Sequence, residues 1–208
     1  IYIVYHYVER NRNDELDRLK LETTVKELEL KTIKSHINPH FIFNSLNSIR
    51  ALVDENPKRA RRAITELSNI LRSSMKEEKS ETVTLERELD IVKDYLALEQ
   101  MRFEERLKIE FEIDEDTLQQ PVPPMMLQTL VENAIKHGIS KQIKGGVVRI
   151  VAAFKNHDIE LLVQNTGQLS PAPNDEGFGI KSTQDRLNLM YQGKAVFDIR
   201  NLGTAMVE

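Results

Sequence analysis

Four segments hold residue types that can do chemistry. The first is Ser35-His36-Ile37-Asn38-Pro39-His40-Phe41-Ile42-Phe43-Asn44. A neutral imidazole titrates near physiological pH, so a histidine can attack a phosphoryl group through nitrogen and later release it. His36 and His40 are also four residues apart, the spacing of a helical metal pair. No glutamate stands in the zincin position between them, and Pro39 distorts the helix. The second segment runs from Pro124 through Leu127, Leu130, Val131, Glu132, Asn133, Ala134, Lys136 and His137 to Gly138. On a helix, Leu127, Leu130, Val131 and Ala134 share one face, with Glu132, Asn133, Lys136 and His137 largely opposite. A carboxylate, an amide, an ammonium and an imidazole on one exposed strip suit a Mg-phosphate group, with oxygen ligands for the metal and cations for the phosphate. By spacing alone, a solvated helix face is the plainer account. The third segment is Gly177-Phe178-Gly179-Ile180, which opens a helix whose backbone N–H groups can bind an anion. The fourth is Val163-Gln164-Asn165-Thr166-Gly167 at a strand end, where Asn165 is either a reader of an amide-like base edge or a turn residue.

The elements that must position these segments follow from periodicity. Residues from about 8 to 38 lack Gly and Pro and are rich in Leu, Glu and Lys, which predicts a helix. Leu21, Val25, Leu28 and Thr32 form a short coiled-coil seam. Leu19, Lys26, Leu30, Ile33 and Ile37 widen it into a bundle face that needs a partner helix from a second chain. Asn38-Pro39 kinks this helix, which resumes through His40 to about Asp54. Asn56-Pro57 starts another helix to about Lys76, with Ala60, Ala63, Ile64, Leu67, Ile70 and Leu71 inward, and the two segments form a helical hairpin. Thr84 caps a helix from Leu85 to about Glu105, with Leu89, Val92, Tyr95, Leu96 and Glu99 along one side. Leu107, Ile109, Phe111 and Ile113 alternate as a strand. After Pro121, Pro123 and Pro124 a helix runs to about His137, ended by Gly138 as a C-cap glycine. Strands are expected at 147–154 and 159–164, a helix at 180–191, and strands near 195–201 and 204–207. The fold class is α+β: a helical N-terminal part, then a mixed sheet with helices.

Composition narrows the function classes. The 208 residues are 40% hydrophobic and 30% charged, as in a soluble globular chain, and the net charge of -4 gives no basic footprint for nucleic acid. Cysteine is absent, so there is no disulfide framework and no thiolate metal site. The apolar, Tyr-rich stretch Ile1–Val8 is followed by Glu9-Arg10-Asn11-Arg12. It reads either as the last turns of a membrane-spanning helix or as the start of an amphipathic one; by itself it falls short of the roughly 20 residues a span needs. The apolar Ala205-Met206-Val207 at the other end suggests a further edge strand or tail.

Taken in order, these segments resemble the LytS/YehU-like sensor histidine kinases, whose catalytic domain has the GHKL ATPase fold. Asn38-Pro39-His40-Phe41-Ile42-Phe43-Asn44 looks like their phosphoacceptor box. Tyr95-Leu96 with Glu99 and Arg102-Phe103 matches the pattern ahead of the catalytic domain, and Leu130 to Gly138 is similar to the N box. The resemblance implies that Asn133 binds Mg and that Glu132, Lys136 and His137 line the phosphates of ATP; Phe41 follows the histidine where many histidine kinases carry an acid, which leaves the acid/base helper open, with Glu132 the candidate. Asn165 and Gly167 fall in the first glycine box. Gly177 and Gly179 fall in the second, Arg186-Leu187 in the helix behind it, and Gly203-Thr204 in the closing motif; these too are implied nucleotide-binding positions. Asn165 replaces the family's adenine-reading Asp, Leu169 replaces the box's second glycine, and Ser182 stands where Asn is common.

The implied organisation is a membrane-proximal helix at 1–30, a dimerisation and phosphoacceptor hairpin at 31–80, a connecting helix at 81–106 and a catalytic ATP-binding domain at 107–208. The hairpins of a homodimer would form a four-helix bundle. The implied reaction is autophosphorylation of His40 from Mg-ATP and transfer to an Asp of a response regulator receiver domain. The implied place is the cytoplasmic portion of a plasma-membrane protein, with a sensor and transmembrane portion ahead of residue 1. The alternatives are a degenerate, non-catalytic dimeric scaffold and a GHKL-type ATP hydrolase. Thr129, four before Asn133 where hydrolytic GHKL enzymes place Glu, favours the kinase.

Overall fold

A computed structural model describes residues 39–76, 81–169, 178–203 and 205–208. The chain divides into two compact units, 1–42 and 43–208. The helix expected at 8–38, together with His36, Gly177 and Thr204, lies outside the described residues. Of the first unit, the described part is the opening turn of α1 (Pro39–Glu55), with Pro39 as its first residue and His40 exposed.

In the second unit, Asn56 alone joins α1 to α2 (Pro57–Lys76). Its Oδ1 accepts from Arg59 N at 3.1 Å, capping α2. In the single chain, α2 packs along α3 (Leu85–Phe103). Ala60, Ala63, Leu67 and Ile70 form the buried stripe of α2. Ile64, expected inward, is 51% exposed because this 3-4-3 stripe leaves it at the margin. Asn69 Nδ2 donates to Asp94 Oδ2 at 2.9 Å across the α2–α3 contact.

A two-residue strand, β1 (Val83–Thr84), leads into α3, where Thr84 Oγ1 accepts from Arg87 N at 3.4 Å. Packed against α2 on one side and the helix Met126–Asn133 on the other, α3 buries Leu85, Leu89, Val92, Tyr95 and Leu96, and with them Glu88 and Glu99. It ends at Phe103, where Glu104 takes φ 51° and the chain turns into β2 (Leu107–Ile113).

The remaining strands are β3 (Pro121–Val122), β4 (Gly146–Lys155), β5 (Asp158–Thr166), β6 (Asn201–Leu202) and β7 (Met206–Val207). β1 and β3 form a small antiparallel pair, and the main sheet has the order β2-β4-β5-β7-β6. β2 and β4 are parallel and the other neighbours antiparallel. Alternation along β4 buries Val148, Ile150 and Ala152 and leaves Arg149 free to pair with Glu110 at 2.7 Å. The strand expected over 195–201 shrinks to Asn201–Leu202, extended by mutual Arg200–Glu208 backbone bonds of 2.9 Å. β7 offers only two residues to pair with, and Val196 is 92% exposed. The architecture is the expected α+β one, helices followed by a mixed sheet.

Candidate functional site

The site is built around α4 (Met126–Asn133), which follows a buried Pro123-Pro124 pair. Met125, just ahead of it, is left-handed at φ 62° and ψ 8°. The Glu88 carboxylate on α3 accepts from Met125 N at 2.7 Å and from Leu127 N at 2.9 Å. It thereby satisfies helix-start donors and places negative charge at the positive end of the helix dipole. From the other side, α5 (Phe178–Tyr191) sends Arg186 Nη1 to the Pro124 carbonyl at 2.6 Å and Tyr191 OH to the Pro121 carbonyl at 2.8 Å.

The helix reaches Gly138 as expected, but not as α-helix throughout. After Asn133 it widens into a π turn over Ala134–Gly138. The extra residue breaks the 3.6 period, and such turns recur at functional sites. The expected exposed strip accordingly splits: Glu132 and Asn133 are half-buried, and Lys136 and His137 are exposed. Leu127, Val131, Ala134 and Ile135 are buried against the body of the domain.

Gly138 is not the left-handed C-cap expected; its φ is −93°. Close approach is what requires glycine. A Cβ would collide with the Asn165 side-chain amide and stand 2.7 Å from the Thr166 carbonyl oxygen of β5. Gly167 closes the same cluster, since its Cβ would lie 3.2 Å from Asn165 Nδ2 and 3.3 Å from Gly138 Cα. Asn165 is buried, and its Nδ2 donates to Thr166 O at 3.1 Å. A carbonyl can only accept, so the amide nitrogen must face Thr166, and the Asn165 carbonyl oxygen is the end left for a ligand.

The second cluster joins α4 to α5. A Cβ on Gly179 would lie 2.8 Å from Thr129 Cγ2 and 3.8 Å from Asn133 Nδ2. Thr129 Oγ1 donates to Met125 O at 2.6 Å, which fixes its rotamer. Asn133 Nδ2 is buried with no hydrogen-bond partner. Leaving such a group unsatisfied costs roughly 1–3 kcal/mol. Turning the amide over would put an oxygen there instead, so an Asn at this point fits a cation or a polar ligand. Among the described residues no group of three or more His, Asp or Glu could hold a metal by itself, so a metal here would complete its shell with ligand oxygens.

Behind α4 lies a buried acidic network. Gln128 Nε2 donates to Glu132 Oε1 at 2.8 Å, and burial raises the Glu132 pKa against that bond and the charge of Lys136. Burial likewise pushes Glu99 up to about 7, opposed by Arg102, reinforced by Glu132 and opposed by a hydrogen bond from Tyr95. Arg102 Nη2 stands 2.7 Å from Glu99 Oε2 without making a hydrogen bond to it. Burial, with the nearby Glu99 and Glu132 carboxylates, holds the Tyr95 hydroxyl well above its ordinary value.

Sequence reasoning missed Glu88 and Gln128. Glu88 carried a signal: it stands with Leu85, Leu89 and Val92 in the apolar stripe of α3, where an unpaired charge has no place. Gln128 looks like any surface amide until the fold buries it.

Residues 28–107 match the histidine kinase family. The sensor protein LytS of Staphylococcus haemolyticus is 38% identical over 154 residues, covering 74% of this chain and 26% of that protein. The sensor histidine kinase/phosphatase LytS of Staphylococcus aureus is 34% identical over 180 residues, covering 81% of this chain and 31% of that protein. This chain thus spans about a quarter to a third of the length of the curated relatives it matches. Among solved structures, the histidine kinase domain from the Erythrobacter litoralis EL346 blue-light activated histidine kinase aligns with a TM-score of 0.45 and 16% identity over 88% of this chain and 90% of that one. Among the described residues no helix is long and apolar enough to cross a membrane.

Proposed function

This chain belongs to the LytS-like sensor histidine kinases, and from that premise we propose that it is a kinase core that phosphorylates itself on His40 from ATP and hands the group to an aspartate of a response regulator. A neutral imidazole nitrogen of His40 attacks the γ-phosphorus, the bond to the β–γ bridging oxygen breaks, and ADP leaves. The proton on the other ring nitrogen passes to a base, for which Glu132, its pKa raised by burial, is the candidate. Magnesium bound at Asn133 would neutralise phosphate charge. Lys136 and His137 supply donors to the phosphates, the glycines at 177 and 179 let the chain approach them, and Asn165 accepts from the adenine amino group through its carbonyl oxygen. Gly167 and Thr204 are further nucleotide-binding positions that the resemblance implies.

The observation that carries this reading is the buried, unpartnered Asn133 amide beside Gly179. The Thr129 hydroxyl, tied to the Met125 carbonyl, leaves no water-activating group at the position where a hydrolase needs one. Phe43, Leu46 and Val53 are 67%, 49% and 51% exposed on α1 at helical spacing, a face that the second copy of a homodimer would cover. In this reading the chain is the cytoplasmic part of a membrane sensor. Incubation with γ-labelled ATP and Mg tests it. Acid-labile, alkali-stable label on the wild type and none on His40→Gln is expected. Binding of Mg-ADP with no label at any pH would make the chain a signalling scaffold, and steady phosphate release by His40→Gln would make it a hydrolase.

A further inference from the structure

The turn Pro124–Leu127 is held from two helices at once. Glu88 on α3, fully buried, takes both the Met125 and the Leu127 N–H groups, and Arg186 on α5 donates to the Pro124 carbonyl. Between these anchors Met125 is kept left-handed, a conformation an L-residue holds only when its surroundings over-determine it. Met125 O in turn receives both Thr129 N at 3.1 Å and Thr129 Oγ1 at 2.6 Å. The start of α4, and with it the rotation that sets where Glu132 and Asn133 emerge, depends on these anchors. The adenine end is fixed separately, by the packing of Gly138 and Gly167 on Asn165 in β5.

We infer that Glu88 and Arg186 are a pair of positioning residues that clamp the Pro124–Leu127 turn and so orient the metal end of the nucleotide site without orienting its adenine end. Arg186 thus acts on the site through the backbone of α4. The clamp joins the connecting helix α3 to the helix behind the second glycine box, so a shift of α3 would reach Asn133 through Glu88. The inference rests on the nucleotide-binding reading above.

The test compares ADP affinity with Mg and with EDTA, by calorimetry on the whole 208-residue chain. In Glu88→Gln and Arg186→Gln the gain in affinity that Mg provides is expected to fall at least tenfold, while affinity in EDTA moves less than threefold. Arg186→Lys, which keeps a donor, recovers part of the gain. Equal losses with and without Mg, or no loss in either variant, overturn the clamp. Wild-type hydrogen exchange covers the case in which a variant does not fold: the Met125 and Leu127 amides should exchange far more slowly than ordinary helix-start amides, and fast exchange overturns the inference by itself. A wild-type chain that binds no ADP in either condition counts against the kinase reading, and amide exchange still decides the clamp.

Discussion

Gly138 lies against Asn165 so closely that any side chain at 138 would run into the Asn165 amide and the Thr166 carbonyl. Its φ of −93° is on the ordinary side of the map, so space and not backbone freedom demands glycine. Gly138→Ala should lift the π turn off β5, cost about 1–3 kcal/mol as overpacking does, and weaken Mg-ADP binding at least tenfold. Because the Thr166 oxygen is backbone, adding Asn165→Ala should not restore stability. Thermal unfolding of the single and double variants checks this, and a Gly138→Ala chain as stable as the wild type would refute it.

The Gly179–Thr129 contact makes a prediction of opposite character, because there the obstacle is a methyl group. Gly179→Ala should press on Thr129 Cγ2, which the Thr129–Met125 bond prevents from rotating away. The expected result is a loss of about 1 kcal/mol and roughly tenfold in Mg-ADP affinity, on the same overpacking grounds. Thr129→Ser removes the methyl group and keeps the hydroxyl, so the double variant should recover both. A Gly179→Ala effect of the same size in the Thr129→Ser background would show that the two sites do not couple.

Much of this fold was legible because its local signals agree. Asn56-Pro57 is both a cap and a helix start, and α2 runs from Pro57 to Lys76 as its pattern predicts. Alternation over Leu107–Ile113 likewise matches β2. The departures arise where tertiary contacts override a local rule. Gly138 looks like a helix stop because glycine usually is one, but here its cause lies in β5, at Asn165 and Thr166. The π turn leaves no mark in composition, so a helix read at period 3.6 put Glu132 and Lys136 on one exposed strip. The long-range bonds from Glu88 to Met125 and from Arg186 to Pro124 are set by how three helices meet, which no window of sequence contains.

Buried acids should make the chain more stable in mild acid than at alkaline pH. The folded pKa of Glu99 is raised from the ordinary 4.5 to about 7, with burial the first cause. A raised folded pKa means that the native state binds the proton more tightly, so the contribution is full below about 4.5 and is lost as pH rises through about 7. Between pH 5 and pH 8 this group should remove roughly 2–3 kcal/mol of stability. Glu99→Gln should flatten the slope by that amount, leaving a residue from Glu66 and Glu132, whose pKa values burial also raises. Urea unfolding at the two pH values measures it, and an unchanged slope in Glu99→Gln would rule Glu99 out as the cause.

The last prediction concerns Asn165, one of the residues that depart from the family pattern. Restoring the aspartate with Asn165→Asp looks like a repair of the adenine-reading position. The geometry argues otherwise, because Asn165 Nδ2 donates to Thr166 O at 3.1 Å and an aspartate would set a carboxylate oxygen against that carbonyl. With the residue only 8% exposed, the lost bond and the facing oxygens have little solvent to soften them. The expected outcome is a destabilisation of about 1–3 kcal/mol and no gain in ADP affinity. The side chain has little room to turn away, since Gly138 and Gly167 both lie so close to the Asn165 amide that a Cβ on either would crowd it. Calorimetric titration with Mg-ADP alongside thermal unfolding decides it: an Asn165→Asp chain that unfolds where the wild type does and binds ADP tenfold more tightly would show that the amide is a loss of function and not a fitted part of this site.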